Sequence, residues 1–140
     1  MNEKVAALAI ALTLIATACS GSSSNTIRIG TMYPMTGTQG PGGIEEYRGV
    51  RLAADFVNHD GGVDGKQIAI QPMDVPDSDA VPGIVDNLAS DGIDLVLGSY
   101  GSSISAPAAD LTSKRGMLFW ETGAVGEQSI SEVEEENSSM

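Results

Sequence analysis

The chain has 140 residues, with 7 Lys and Arg against 19 Asp and Glu and a formal charge of −12. That length fits one domain of ordinary size, and the negative balance excludes a sequence-independent phosphate binder, so nucleic acid is not a partner. A single cysteine excludes an intramolecular disulfide framework and every multi-cysteine zinc site, which leaves hydroxyls, backbone groups and carboxylates to hold a ligand.

Lys4 precedes an unbroken apolar or hydroxylic run from Val5 to Ala18. The run is shorter than the ~20 residues a membrane span needs, but it has the length of a signal-peptide core. Ala16-Thr17-Ala18 is an A-x-A cleavage signal directly before Cys19. The same residues resemble the lipobox of bacterial lipoproteins, with Ala16 where Leu is usual. We therefore expect residues 1–18 to be a signal peptide and Cys19 to carry lipid, the alternative being an incidental thiol beside an ordinary cleavage site. Ser20 to Asn25 is a Gly/Ser linker suited to holding a domain away from a membrane. Either reading exports the mature domain.

From Thr26 onward, strand and helix patterns alternate. Thr26 to Met32 is rich in β-branched residues and ends in a Gly/Pro/Thr loop, which predicts a strand. Ile44, Tyr47, Val50, Ala54 and Val57 recur in steps of three and four, predicting a helix from Ile44 with one face on a sheet and Arg48, Arg51 and Asp55 outward. Gly49, near its middle, costs about 1 kcal/mol against Ala and predicts close approach to a strand. Asn58 to Gly62 ends the helix, where His59 favours the helix dipole. Gln67 to Met73 predicts a second strand, and Pro72 places it at an edge. Val81, Ile84, Val85 and Leu88 mark a second helix, ended by Asp91-Gly92. Asp94 to Gly98, apolar on both faces, predicts a central buried strand with helices on either side. A third helix starts between Ser103 and Pro107 and runs to Arg115, and Met117 to Trp120 forms a fourth strand whose Met117, Phe119 and Trp120 are expected to pack. The expected fold is α/β: an open parallel sheet, order 2-1-3-4, with right-handed crossovers and helices on both faces. Residues 26–126 make this domain, and residues 127–140 read as a solvated acidic tail with Glu132, Glu134, Glu135 and Glu136.

Familiar catalytic and cofactor patterns are absent. Gly37 to Gly43 lacks the dinucleotide spacing, and Gly65-Lys66 precedes a strand where a phosphate loop would follow one. His59 has no second His or Cys for a triad or zinc site. Asp74, Asp77 and Asp79 fail the calcium-loop spacing and are expected to serve turns. No enzyme, metal or cofactor is expected. What stands out is Gly98-Ser99-Tyr100-Gly101-Ser102-Ser103, which joins the buried third strand to a helix N-terminus, where unsatisfied N–H groups and the hydroxyls of Ser102 and Ser103 favour a carboxylate. One of these serines is expected to cap its helix and the other to face the ligand.

With these pieces in place, the chain resembles the N-terminal lobe of type I periplasmic solute-binding proteins, in particular the branched-chain amino acid receptors of ABC importers. The stretches that carry the resemblance are IRIGTMYPMTG, RGVRLAADFVNHDGGVDGKQIAI, DGIDLVLGSYGSSISAPAAD and RGMLFWETGA, in order from about Thr26 to Gly126. It implies a two-lobed trap, of which this chain holds the first lobe, apparently truncated. It further implies that Ser102 contacts the ligand carboxylate and that the Gly123 carbonyl takes the ammonium, in a segment continuing through Ala124 to Val125. The family's amino-acid binders commonly carry Thr where this chain has Val125, so amides and short acids stay open beside amino acids. Tyr33, Thr36, Gln39 and Tyr100 are expected to line the same crevice. The partners implied are a small solute, the permease and ATPase subunits of an ABC importer, and the membrane through a lipid on Cys19. A ligand-sensing ectodomain of the same fold and a non-functional fragment are the alternatives.

Overall fold

Strand β1 (Thr26–Tyr33) alternates Ile29, Thr31 and Tyr33 on one face with Gly30 and Met32 on the other, and all five are buried. The computed structural model describes residues 25–124. After β1 come α1 (Gly40–His59), β2 (Gln67–Asp74), a 3-10 turn (Ser78–Ala80), α2 (Val81–Ser90), β3 (Leu95–Gly98), α3 (Ser102–Lys114) and β4 (Leu118–Trp120). The strands form one parallel sheet in the order β2-β1-β3-β4, as the sequence predicts. Thr26 pairs with Gln67, Gly30 with Val96 and Leu95 with Leu118, so β1 and β3 are interior and β2, with Pro72, lies at an edge.

The core lies between the sheet and the helices α2 and α3. Met32 and Val96 from the sheet meet Val81, Ile84, Val85 and Leu88 of α2 and Ile104 and Ala108 of α3. Full burial of one such aliphatic side chain contributes about 1.5–3 kcal/mol, so this layer supplies most of the apolar stabilisation. On the opposite face α1 packs on β1 and β2. Asn58 closes that edge: its Oδ1 accepts from Ile68 N at 2.6 Å and its Nδ2 donates to Ile68 O at 2.8 Å. Arg28 ties the sheet to the end of α2, donating to Asp91 O at 2.7 Å and Gln71 Oε1 at 2.8 Å.

Four expectations are corrected. Helix α1 begins at Gly40, four residues before Ile44, because Pro41 suits a first helical turn and the small residues after it are needed there. A Cβ on Gly43 would collide with the carbonyl oxygen of Pro34, and one on Gly42 with the Tyr100 ring. The close approach expected of Gly49 is therefore made by Gly43, while Gly49 faces open space. Strand β3 is interior but not buried on both faces: Val96 is buried and Leu95 and Leu97 are half-buried, since α1 sits over β1 and β2. For the same reason Trp120, on the α1 side of β4, is 64% exposed, while Met117 is buried and Phe119 packs on the core.

Of the acids expected to serve turns, Asp77 and Asp74 do so. Asp77 caps the 3-10 turn by accepting from Asp79 N and Ala80 N. Asp74 holds the loop after β1, accepting from Met35 N at 2.8 Å, Thr36 N at 3.1 Å and Thr36 Oγ1 at 2.6 Å. Burial pushes the Asp74 pKa up, but these three bonds outweigh it and hold the carboxyl below its ordinary value.

Two tests follow from this packing. Gly43→Ala is expected to destabilise the chain by about 1–3 kcal/mol through overpacking against backbone, and Gly49→Ala to stabilise it by about 0.5–1 kcal/mol through helix propensity; urea denaturation of both variants checks the pair. Because the native Asp74 pKa is depressed, its stabilisation is complete above its ordinary value of about 4 and is lost as pH falls through the lower native value. Asp74→Asn should therefore flatten the acid limb of a melting-temperature profile below pH about 4, and an unchanged limb would remove Asp74 from the account.

Candidate functional site

Parallel pairing sends the carboxyl ends of β1, β3 and β4 to one end of the sheet, and the chain order changes direction between β1 and β3. Ligands of open α/β sheets gather in the crevice at this end. Three connections meet there: residues 34–39, 99–101 and 121–124.

The first pole is the start of α3. Gly101 stands at the N-cap with φ 91°, a conformation that favours glycine, and its carbonyl accepts from Ile104 N at 3.2 Å and Ser105 N at 3.1 Å. The N-cap residue is Gly101 and not the serine expected from the sequence, so both Ser102 and Ser103 lie inside the first turn. Ser103 Oγ accepts from Gln39 Nε2 at 3.2 Å, and the Gln39 amide fills the space a Cβ on Gly101 would take. Tyr100 lays its ring on Gly42 in the first turn of α1. Gln39, Tyr100, Ser102 and Ser103 are thus brought together where amides and the helix dipole favour an anion. Among the described residues, Gln39 Oε1, Ser99 Oγ and Thr31 Oγ1 are buried without a hydrogen-bond partner. Each such group costs about 1–3 kcal/mol, and two of the three belong to the loops of this pole.

The second pole is the turn after β4. Buried Tyr33 bonds through its hydroxyl to Thr122 Oγ1 at 2.8 Å, and Thr122 Oγ1 donates to Glu46 Oε2 at 3.2 Å. The one Thr122 proton goes to the carboxylate, so Tyr33 is the donor in the first bond. Tyr33 and Tyr47 set their rings 6.3 Å apart at 47°, which fixes the Tyr33 side chain against α1. Glu121 Oε1 accepts from Gly123 N at 2.7 Å, Ala124 N at 2.5 Å and Ser105 Oγ at 3.3 Å. The Glu46 carboxylate lies against the α-carbon of Gly123. Neither Glu46 nor Glu121 forms an ion pair among the described residues. Burial pushes the Glu46 pKa up and the charge of Glu121 adds to it, against the Thr122 hydrogen bond. The Tyr33 hydroxyl is raised by burial, with the charges of Glu46 and Glu121 adding and the Thr122 bond opposing.

Of the residues read from the sequence, Ser102, Ser103, Gln39 and Tyr100 fall at the first pole and Tyr33, Gly123 and Ala124 at the second. Thr36 turns to Asp74, so its hydroxyl is committed to the loop. Val125 and Cys19 lie outside the described residues. Glu46, Ser105, Glu121 and Thr122 were not singled out by sequence reasoning. Glu46 sits in a helix whose period marks only its apolar face, and Glu121 follows the fourth strand, where no pattern continues; the one signal was that Glu121 and Thr122 fall inside a stretch that carries the resemblance.

The family model described as periplasmic binding protein matches residues 26–138. Leu/Ile/Val-binding protein homolog 8 of Brucella abortus is 30% identical over 103 residues, 73% of this chain and 26% of the relative. Leu/Ile/Val-binding protein homolog 7 of Brucella melitensis is 29% identical over 129 residues, 91% of this chain and 32% of the relative. Among solved structures, the branched-chain amino acid transporter substrate-binding protein LivJ of Streptococcus pneumoniae, in complex with isoleucine, aligns with a TM-score of 0.72 at 28% identity. That alignment covers 76% of this chain and 31% of LivJ. The chain thus spans between a quarter and a third of the length of these relatives. With the sheet order 2-1-3-4 and the crevice at its carboxyl end, the chain belongs to the periplasmic binding protein family and carries one type I lobe of it.

Proposed function

We propose that this chain is the ligand-receiving lobe of an exported ABC-importer receptor that captures a small polar solute, an amino acid or a related carboxylate or amide, without catalysis. The observation that carries the reading is the pairing of opposite poles in one crevice. The first turn of α3, with Ser102 and Ser103, presents donors, and the turn at Gly123, with Glu46 beside it, presents acceptors. A zwitterion offers the complementary pair: its carboxylate suits the helix terminus, and its ammonium suits a backbone carbonyl near the Glu46 carboxylate. The isoleucine bound by LivJ and the Leu/Ile/Val-binding names of the Brucella relatives support an amino acid over other solutes.

Each charge-assisted hydrogen bond is worth about 1.5–3 kcal/mol, enough to orient a small acid and not to retain it. Retention in a two-lobed receptor comes from closure around the ligand, and delivery goes to permease and ATPase subunits. Export through residues 1–18 and a lipid on Cys19, with residues 19–25 as a spacer, would hold the lobe at the membrane surface. No helix among the described residues is long and apolar enough to cross a membrane.

Three measurements test this reading. Leucine at millimolar concentration is expected to shift backbone amide resonances of residues 101–104 and 122–124, and shifts confined to other regions would refute the site. Isothermal titration should find binding no tighter than about 1 mM, or about 4 kcal/mol, for this chain alone; micromolar affinity would refute the need for a second lobe. Labelled palmitate should enter the chain expressed in bacteria and fail to enter Cys19→Ser, and equal labelling would remove the anchor.

A further inference from the structure

We propose that Glu121 is a positioning residue that sets the separation between the two poles, and so restricts the crevice to α-amino acids, in which carboxylate and ammonium share one carbon. This rests on the amino-acid reading above. The geometry turns the Glu121 carboxylate inward to the protein: one oxygen receives Gly123 N at 2.7 Å, Ala124 N at 2.5 Å and Ser105 Oγ at 3.3 Å. Ser105 is buried in the first turn of α3, and its hydroxyl also meets Ser99 N at 3.3 Å. A single carboxylate oxygen thus joins the turn that carries the acceptor pole to the helix start that carries the donor pole.

The turn has a second anchor of different direction. Thr122 fastens it to Tyr33 of β1 and Glu46 of α1, whereas Glu121 fastens it to α3 through Ser105. Recognition of a small dipolar ligand requires its contacts to be held within about 0.5 Å, and a β-amino acid lengthens the path between its charged groups by one carbon–carbon bond of about 1.5 Å. A clamp of fixed span therefore separates the two ligand classes with no contact of its own to the ligand.

The full chain, labelled with nitrogen-15, is titrated with leucine and with β-leucine as wild type, Glu121→Ala and Glu121→Gln. The wild type is expected to prefer leucine by about 10-fold. Glu121→Ala should bring the two ligands within about 2-fold of each other, and Glu121→Gln, whose amide oxygen can still accept from Gly123 N and Ala124 N while its amide nitrogen donates to Ser105 Oγ, should keep the preference. Hydrogen exchange without ligand supplies the independent measurement: Gly123 and Ala124 amides should exchange about 10-fold faster in Glu121→Ala and not in Glu121→Gln. Wild-type preference retained in Glu121→Ala would overturn the restriction, and unchanged exchange would overturn the clamp. If neither ligand shifts the wild type while exchange responds as stated, the amino-acid reading fails and takes the restriction with it, and the clamp stands.

Discussion

Parallel pairing of β1 with a strand on each side is the constraint from which the rest follows. Because β2, β1, β3 and β4 run the same way, every strand must be joined to the next by a crossover, and every strand must release its chain at the same end. The crossovers place α1 on one face and α2 and α3 on the other. The shared exit end brings the loops after β1, β3 and β4 within reach of one another. Nothing about the site chemistry needs to be specified for this convergence; it is a property of the sheet, and the side chains at the exits decide what it is used for.

How tightly those exits are gathered depends on backbone contacts that only small residues permit. The start of α1 rests on the Pro34 carbonyl at Gly43 and under the Tyr100 ring at Gly42, and the Gln39 amide sits against Gly101. Two connections, residues 34–39 and 99–101, are thereby locked to each other and to the start of α1. The same end holds two of the three buried polar atoms that the fold leaves without partners among the described residues, Gln39 Oε1 and Ser99 Oγ; the third, Thr31 Oγ1, lies in β1. Unfavourable local choices concentrated at one end of a sheet are the pattern expected of a binding site, where groups are arranged for a ligand and not for the empty protein.

The fold was legible because its signals are periodic. Val81, Ile84, Val85 and Leu88 mark one helical face, Pro72 marks an edge, and the alternation of strand and helix specifies a parallel sheet; all three readings match the structure. Readings that depended on what lies across a contact were less successful. Gly49 and Gly43 look alike in the chain, and only the position of Pro34 distinguishes them. Trp120 looked like a core residue because a β-strand gives no sign of how far the covering helix extends. At the site, hydroxyl and glycine positions were readable from their place at strand exits, whereas Glu46 and Glu121 were not, since an isolated acid on a helix or after a strand is ordinarily a solvated one.

Those two acids also separate the overall charge from the local one. A formal charge of −12 spread over a surface gives a field that salt screens within about 8–10 Å, so it does not select a ligand. Glu46 and Glu121 act differently: both lie beside the Gly123 turn, one partly desolvated with its pKa raised, the other engaged by backbone N–H groups. A few residues away in space, the start of α3 carries the opposite polarity. The crevice therefore has a direction, donor end to acceptor end, that the total charge conceals. A dipolar solute gains at both ends in one orientation and at neither in the other, which turns a weakly binding surface into an orienting one.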